Sequence, residues 1–262
     1  MLIDDPHAGR RRRRYAHVSW MILAVLPVGL CALLVMPASW LVAALSIPGP
    51  LLAVEAKGSL WSGSAALAIG RAELRRPIDE PLRWELRFTG GPRLVATHPA
   101  LAGELDLALS WRGLRAAPQS LRLPAGLLGA VHPKVNLLMP EGELLLSWPE
   151  TVIGLGSPRQ GTELADLRWN SAGSWLTPVR PMGAYRVVLS QGSAGQVEIG
   201  LSSLGSPVLL QGKGSYSADQ GLRLDGTARA DPATTREARV ELRTLFEVLG
   251  ASAANHYRFS LQ

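Results

Sequence analysis

The 262-residue chain is 47% hydrophobic and only 18% charged, too apolar for a disordered polypeptide and long enough for one large domain or two small ones. A single cysteine excludes a disulfide framework and any cysteine-based zinc site. Half of the formal net charge of +6 sits in residues 1–17, so the remaining body is close to neutral and offers little to nucleic acid.

In chain order, the first signal is the run Arg10-Arg11-Arg12-Arg13-Arg14, followed by residues 18–36 without a formal charge. At about 1.5 Å rise per residue such a stretch spans the hydrocarbon layer of a bilayer as a helix. Trp20 and Trp40 stand twenty residues apart, the separation that puts one at each membrane–water interface. Pro27 is tolerated in such a helix because water cannot compete for its backbone. The arginine cluster sets the topology, with the N-terminus cytoplasmic and the bulk of the chain across the membrane. The competing reading is a cleaved signal peptide, whose apolar core is usually shorter, about 7–15 residues. Val42-Ala43-Ala44 is its best cleavage site. The length of the apolar stretch favours an uncleaved anchor, with Cys31 a buried thiol inside it. The expected organisation is a basic cytoplasmic tail over 1–17, a transmembrane helix over 18–40, a linker over 41–53 and a periplasmic β-rich domain over 54–262.

Directly after Pro48-Gly49-Pro50 comes Gly58-Ser59-Leu60-Trp61-Ser62-Gly63, small residues around one large aromatic. The glycines suit a tight bend or a close approach of strands, and Trp61 suits a core plug. The functional counterpart is an exposed aromatic that anchors a partner.

From there the apolar period is two. Leu82-Arg83-Trp84-Glu85-Leu86-Arg87-Phe88 alternates without a slip, and Leu105/Leu107/Leu109/Trp111, Leu144/Leu146/Trp148, Tyr185/Val187/Leu189, Val197/Ile199/Leu201 and Leu222/Leu224 repeat the pattern. Strict alternation predicts half-buried antiparallel strands. Gly-Pro and Gly-Ser pairs punctuate them, as at Gly90-Gly91-Pro92 and Gly205-Ser206-Pro207. Near the end, Asp231-Pro232 reads as a helix start, and Ala238, Leu242, Leu245, Phe246 and Leu249 recur at helical spacing before Gly250. Tyr257 to Leu261 returns to strand alternation. The expected fold is therefore mainly β: one N-terminal transmembrane helix, then an extended antiparallel sheet domain with a short C-terminal helix. Gly103-Glu104-Leu105 to Trp111 and Gly142-Glu143-Leu144 to Trp148 echo one another, as a duplicated hairpin would.

No catalytic signature emerges. The histidines His7, His17, His98, His132 and His256 are scattered, without metal-ligand spacing. There is no Gly-x-Ser-x-Gly elbow, and Gly154-Leu155-Gly156 and Gly212-Lys213-Gly214 lack the residues of a phosphate cradle. The expectation is a protein with no catalytic, cofactor or metal site.

The basic tail, the single apolar span and the Gly-Ser-Leu-Trp-Ser-Gly element at Gly58, Leu60, Trp61, Ser62 and Gly63 together resemble protein N of the bacterial type II secretion system. Leu82-Arg83-Trp84, the Gly-Glu-Leu strands, Leu204-Gly205-Ser206-Pro207 to Gly212 and the closing helix continue the resemblance across most of residues 40–262. Residues 150–182 match no pattern in it. The resemblance implies a non-enzymatic accessory component of the inner membrane that helps export folded proteins from the periplasm across the outer membrane. It implies protein partners, namely other inner-membrane secretion components with the outer-membrane secretin as a further candidate, and no nucleic acid, small-molecule substrate or cofactor. The alternative is an AsmA-like envelope lipid-transfer or assembly factor, whose sheet would present an open apolar groove in place of a sealed core.

Overall fold

The computed structural model describes residues 35–44, 51–70, 75–111, 113–154, 158–205, 207–217, 219–249, 251–253 and 256–261. A short helix α1 (Ala38–Ala44) precedes the strands β1 (Leu51–Gly58), β2 (Ser62–Ile69), β3 (Arg76–Pro77), β4 (Leu82–Arg87), β5 (Arg93–Thr97), β6 (Leu105–Ser110) and β7 (Gly113–Ala116). Next come β8 (Gln119–Pro124), helix α2 (Pro133–Leu137), β9 (Pro140–Trp148), β10 (Thr151–Gly154), β11 (Glu163–Ser174), β12 (Gly183–Gln191) and β13 (Val197–Ser203). The chain closes through β14 (Val208–Ser217), β15 (Gly221–Ala230), α3 (Arg236–Glu241), α4 (Arg243–Leu249), β16 (Ala251–Ala253) and β17 (His256–Leu261).

These strands form two sheets with antiparallel pairings throughout. The first has eight strands in the order β1-β2-β4-β5-β6-β7-β10, with β3 beside β2; the second has nine, in the order β16-β17-β15-β14-β13-β12-β11-β9-β8. Near-sequential order follows from the short Gly-containing turns, since two-residue to five-residue connections can only join antiparallel neighbours. The chain crosses to the second sheet at β8, returns once for β10, and stays in the second sheet from β11 onward. A short ladder stitches the sheets together: the amide of Ala102 donates to the Ser120 carbonyl at 2.9 Å and that of Arg122 to the Ala100 carbonyl at 2.8 Å.

Register makes the second sheet one-sided. Leu121, Leu146, Leu167, Val187, Leu201, Gly212, Gly226 and Phe259 are successive cross-strand partners, so they form one row on one face. The adjacent row on the other face runs Leu145, Arg168, Arg186, Ser202, Gln211, Thr227, Arg258. A period of two, kept in register across eight strands, is what turns the sequence alternation into a polar face and an apolar face.

Three modest cores result. Leu242, Leu245 and Phe246 from the α3–α4 region close over Met182, Val208, Ala228 and Phe259 at one end of the second sheet. Each such side chain, taken fully out of water, contributes about 1.5–3 kcal/mol. Leu123, Leu127 and Leu144, with Ile69 and Ile78 from the first sheet, pack at the junction of the two sheets. Ala38, Leu41 and Val42 of α1 lie on Ala65, Trp84, Leu94 and Ala96 of the first sheet. Leu146, Val187, Leu189, Val197 and Ile199 remain half-buried, outside all three cores.

Several expectations need adjustment. Residues 18–34, including Cys31, and the cluster Arg10–Arg14 lie outside the described residues. Among the described residues no helix is long and apolar enough to cross a membrane. At the end of the expected span, Pro37 forms an antiparallel bridge with Ser59, and helix α1 covers Ala38–Ala44. β1 starts at Leu51, inside the stretch read as linker. The single C-terminal helix is two. Asp231 does not cap it; its carboxylate instead accepts from the Ala233 amide at 2.8 Å in a turn, and Thr235 is the N-cap. The two Gly-Glu-Leu segments occupy unlike places, β6 inside the first sheet and β9 next to the edge of the second.

Candidate functional site

The element Gly58 to Gly63 is the connection between β1 and β2, and each residue has a local reason. Gly58 ends β1 at φ 94°, a left-handed conformation that a side chain resists. The amide of Ser59 donates to the Ser62 carbonyl at 2.9 Å, closing the turn, and the Leu86 amide donates to the Trp61 carbonyl at 2.7 Å, tying it to β4. Gly63 is a close approach: a Cβ there would stand 2.6 Å from both the Trp84 ring and the Lys57 carbonyl. The large aromatic buried by this turn is thus Trp84, 6% exposed, whose indole N–H reaches the Ser59 carbonyl at 3.3 Å. Trp61 is half-buried and its ring meets that of Phe88 at 5.9 Å.

The same turn receives the N-terminal chain. The Leu60 amide donates to the Met36 carbonyl at 2.9 Å, beside the Pro37–Ser59 bridge. Ala38, the next residue, is 1% exposed in the core beneath α1. The end of the apolar stretch is therefore hydrogen-bonded into the first sheet and packed on it.

Three turns lie at this one end of the first sheet. Register aligns the β1–β2 turn with the β4–β5 turn through Ser62–Glu85 and Arg87–Arg93, and with the β6–β7 turn through Ser110–Gly113. Phe88, Leu109 and Trp111 project there at 60%, 67% and 89% exposure. The charged side chains beside them turn inward along the polar face: Arg87 to Glu104 and Glu85 at 3.1 and 3.2 Å, Arg93 to Asp106 at 3.2 Å. The hydrogen bond that Arg87 donates to Glu104, more than that to Glu85, holds its guanidinium above its ordinary pKa, and Glu150 does the same for Arg115.

Two of the scattered histidines, His98 and His132, have structural work. His98 stands 3.1 Å from the carbonyls of Asp79 and Glu80 and accepts from the Ala100 amide at 3.0 Å. His132 caps α2 by accepting from the Lys134 amide. Among the described residues no group of three or more His, Cys, Asp or Glu is arranged to hold a metal ion. Period two places Trp111 on one face with Leu109, as expected, but both are exposed instead of lining a core, and Phe88 joins them only through the register of β4, β5 and β6.

The described residues thus define a one-sided antiparallel β scaffold whose distinctive features are turns, edges and faces. Its residues 49–260 match the family model for "Type II secretion system (T2SS), protein N". The chain belongs to the type II secretion system protein N family, and its role is that of an accessory component of type II secretion. No curated protein and no solved structure matches the chain.

Proposed function

We propose that the protein is a non-enzymatic, single-pass component of the inner membrane whose β body lies in the periplasm and aids export of folded proteins by contact with other secretion components. The secretin of the outer membrane is a further candidate partner. The observation that carries this reading is the join at Met36–Pro37. The apolar stretch runs straight into the hydrogen bond from the Leu60 amide to the Met36 carbonyl and the bridge that pairs Pro37 with Ser59, with no free linker between them. A body fixed in this way to an anchor keeps a constant height and orientation, and confinement raises its effective concentration toward other membrane components without new contacts. Sheet edges and flat faces suffice for docking by strand addition, so no reactive group is required. The test is partition of a folded exoprotein. Deleting residues 51–262 while keeping the anchor should trap its activity in the periplasm, and restoring the full chain should return it to the medium. Export independent of the body under every growth condition would count against the reading.

A second reading has one observation in its favour. The α3–α4 region seals only one end of the second sheet's apolar face, and Leu146, Val187, Leu189, Val197 and Ile199 at the other end are half-buried outside the cores. An AsmA-like lipid carrier needs such an open strip. Mass spectrometry of protein purified without detergent from the periplasmic side separates the two: stoichiometric phospholipid supports the carrier, and none supports the contact scaffold.

A further inference from the structure

Phe88, Leu109 and Trp111 are all more than half exposed, although large apolar side chains grouped at one place on a soluble surface normally mark a docking site. Phe88 and Leu109 lie on the same face as Trp84, because Arg87 pairs with Arg93 and Arg93 with Ala108, and side chains alternate from there. Trp61 extends the group through its ring contact with Phe88. The occupant is indicated by where the chain comes from. Residues 18–36 carry no charge, and Met36, their last residue, is hydrogen-bonded to Leu60 in the turn next to Phe88. A membrane entered by residues 18–36 therefore ends at this rim.

Charge agrees with that placement. The turn sequences 59–62, 87–93 and 110–113 contain no acidic residue, whereas Asp79, Glu80, Glu104 and Glu150 precede strands at the opposite end of the sheet. The nearest carboxylates, Glu85, Glu104 and Asp106, are neutralised by Arg87 and Arg93 on the polar face, so the turns meet anionic headgroups without unpaired negative charge, and Trp and Phe rings are the side chains favoured at that depth. We propose that the end of the first sheet bearing Phe88, Leu109 and Trp111 is seated on the surface of the same bilayer that residues 18–36 enter, with these side chains among the lipid headgroups. The sheet then stands on the membrane, and its acidic end points away. This inference rests on the anchor reading given above.

The experiment uses the full chain in a Cys31→Ser background, reconstituted in phosphatidylethanolamine–phosphatidylglycerol vesicles containing doxyl-labelled lipid. An environment-sensitive fluorophore is attached at Thr89→Cys, in the rim, or at Asp79→Cys, across a strand length of about 20 Å. The Thr89 probe should be quenched at least about threefold more than the Asp79 probe, as interfacial seating requires. The double variant Phe88→Ser, Trp111→Ser should bring it down to the Asp79 level. If the chain resists carbonate extraction but both probes are equally unquenched, the seating is overturned and the anchor stands. Quenching that survives the double serine variant overturns the role of the rings. Release of the chain by carbonate overturns the anchor and the seating together.

Discussion

The indole of Trp84 lies directly on Gly63, where a Cβ would come within 2.6 Å of the ring. One side chain in β4 thus depends on the absence of another in β2, and the pair explains why a glycine closes the Gly-Ser-Leu-Trp-Ser-Gly element. Gly63→Ala should destabilise the protein by about 1–3 kcal/mol, because the Lys57 backbone on the other side leaves no room to shift. Trp84→Ala should lose about 3–5 kcal/mol through the cavity it leaves. Denaturant melts of the detergent-solubilised chain, followed by tryptophan emission, measure both.

Trp61 should behave differently. Its ring is half-buried and its resolved aromatic partner is Phe88, so Trp61→Ala should forfeit about 0.5–1.5 kcal/mol of ring contact plus some apolar burial. In the same melts it should be clearly milder than Trp84→Ala. A loss as large as that of Trp84 would mean the element is built around Trp61 instead.

Trp61, expected from the sequence as the core plug, is half-buried while Trp84 is the buried ring, and the difference comes down to turn geometry. Alternation in Leu82 to Phe88 put Trp84 on the apolar face, and register across β2, β4 and β5 keeps it there. No period applies inside a three-residue turn, so the depth of Trp61 depends on where the Leu86 amide pulls it. The strands Val197–Ser203 and Gly221–Ala230 were readable for the same reason as β4: one face is packed and the other wet. β11 was not, because its register shifts between Trp169 and Ala172 and Ser171 sits at φ 48°, which breaks the two-residue period. Asp231-Pro232 misled because a capping pair and a turn use the same carboxylate-to-amide bond. The rim was hidden for a simpler reason: its members lie in turns and strand ends brought together only by register.

Asp166 holds a like-charge pair together. Arg168 and Arg186 are direct cross-strand partners. The Asp166 carboxylate, 7% exposed, accepts from Arg186 at 2.6 Å and from Arg168 at 3.4 Å. Asp166→Asn should destabilise by about 1–3 kcal/mol, since the two guanidinium groups would then face each other with only the more distant Glu163, 4.0 Å from Arg186, as counter-charge. Molar salt should recover part of that loss by screening. A variant as stable as the parent at low salt would show that solvent already separates the two arginines.

Tyr185 offers a check on the helix-capped end of the second sheet. Its buried hydroxyl lies 3.0 Å from the Val208 carbonyl and 3.2 Å from that of Met182, bridging β14 to the start of β12. Tyr185→Phe should lose about 1 kcal/mol, and amide exchange should quicken first around Met182 and Val208. Uniform acceleration across both sheets would instead point to one cooperative unit.

The most direct measurement of the central claim is recovery of the full-length chain from its native membrane after in-cell photocrosslinking, with the co-purified proteins identified by mass spectrometry. Crosslinkers at exposed β1 positions such as Leu52 and Val54 sample the edge of the first sheet. The expected result is enrichment of other inner-membrane type II secretion components, lost when residues 51–262 are removed. Recovery of no secretion component, with bound phospholipid in their place, would contradict a role exerted through protein contact.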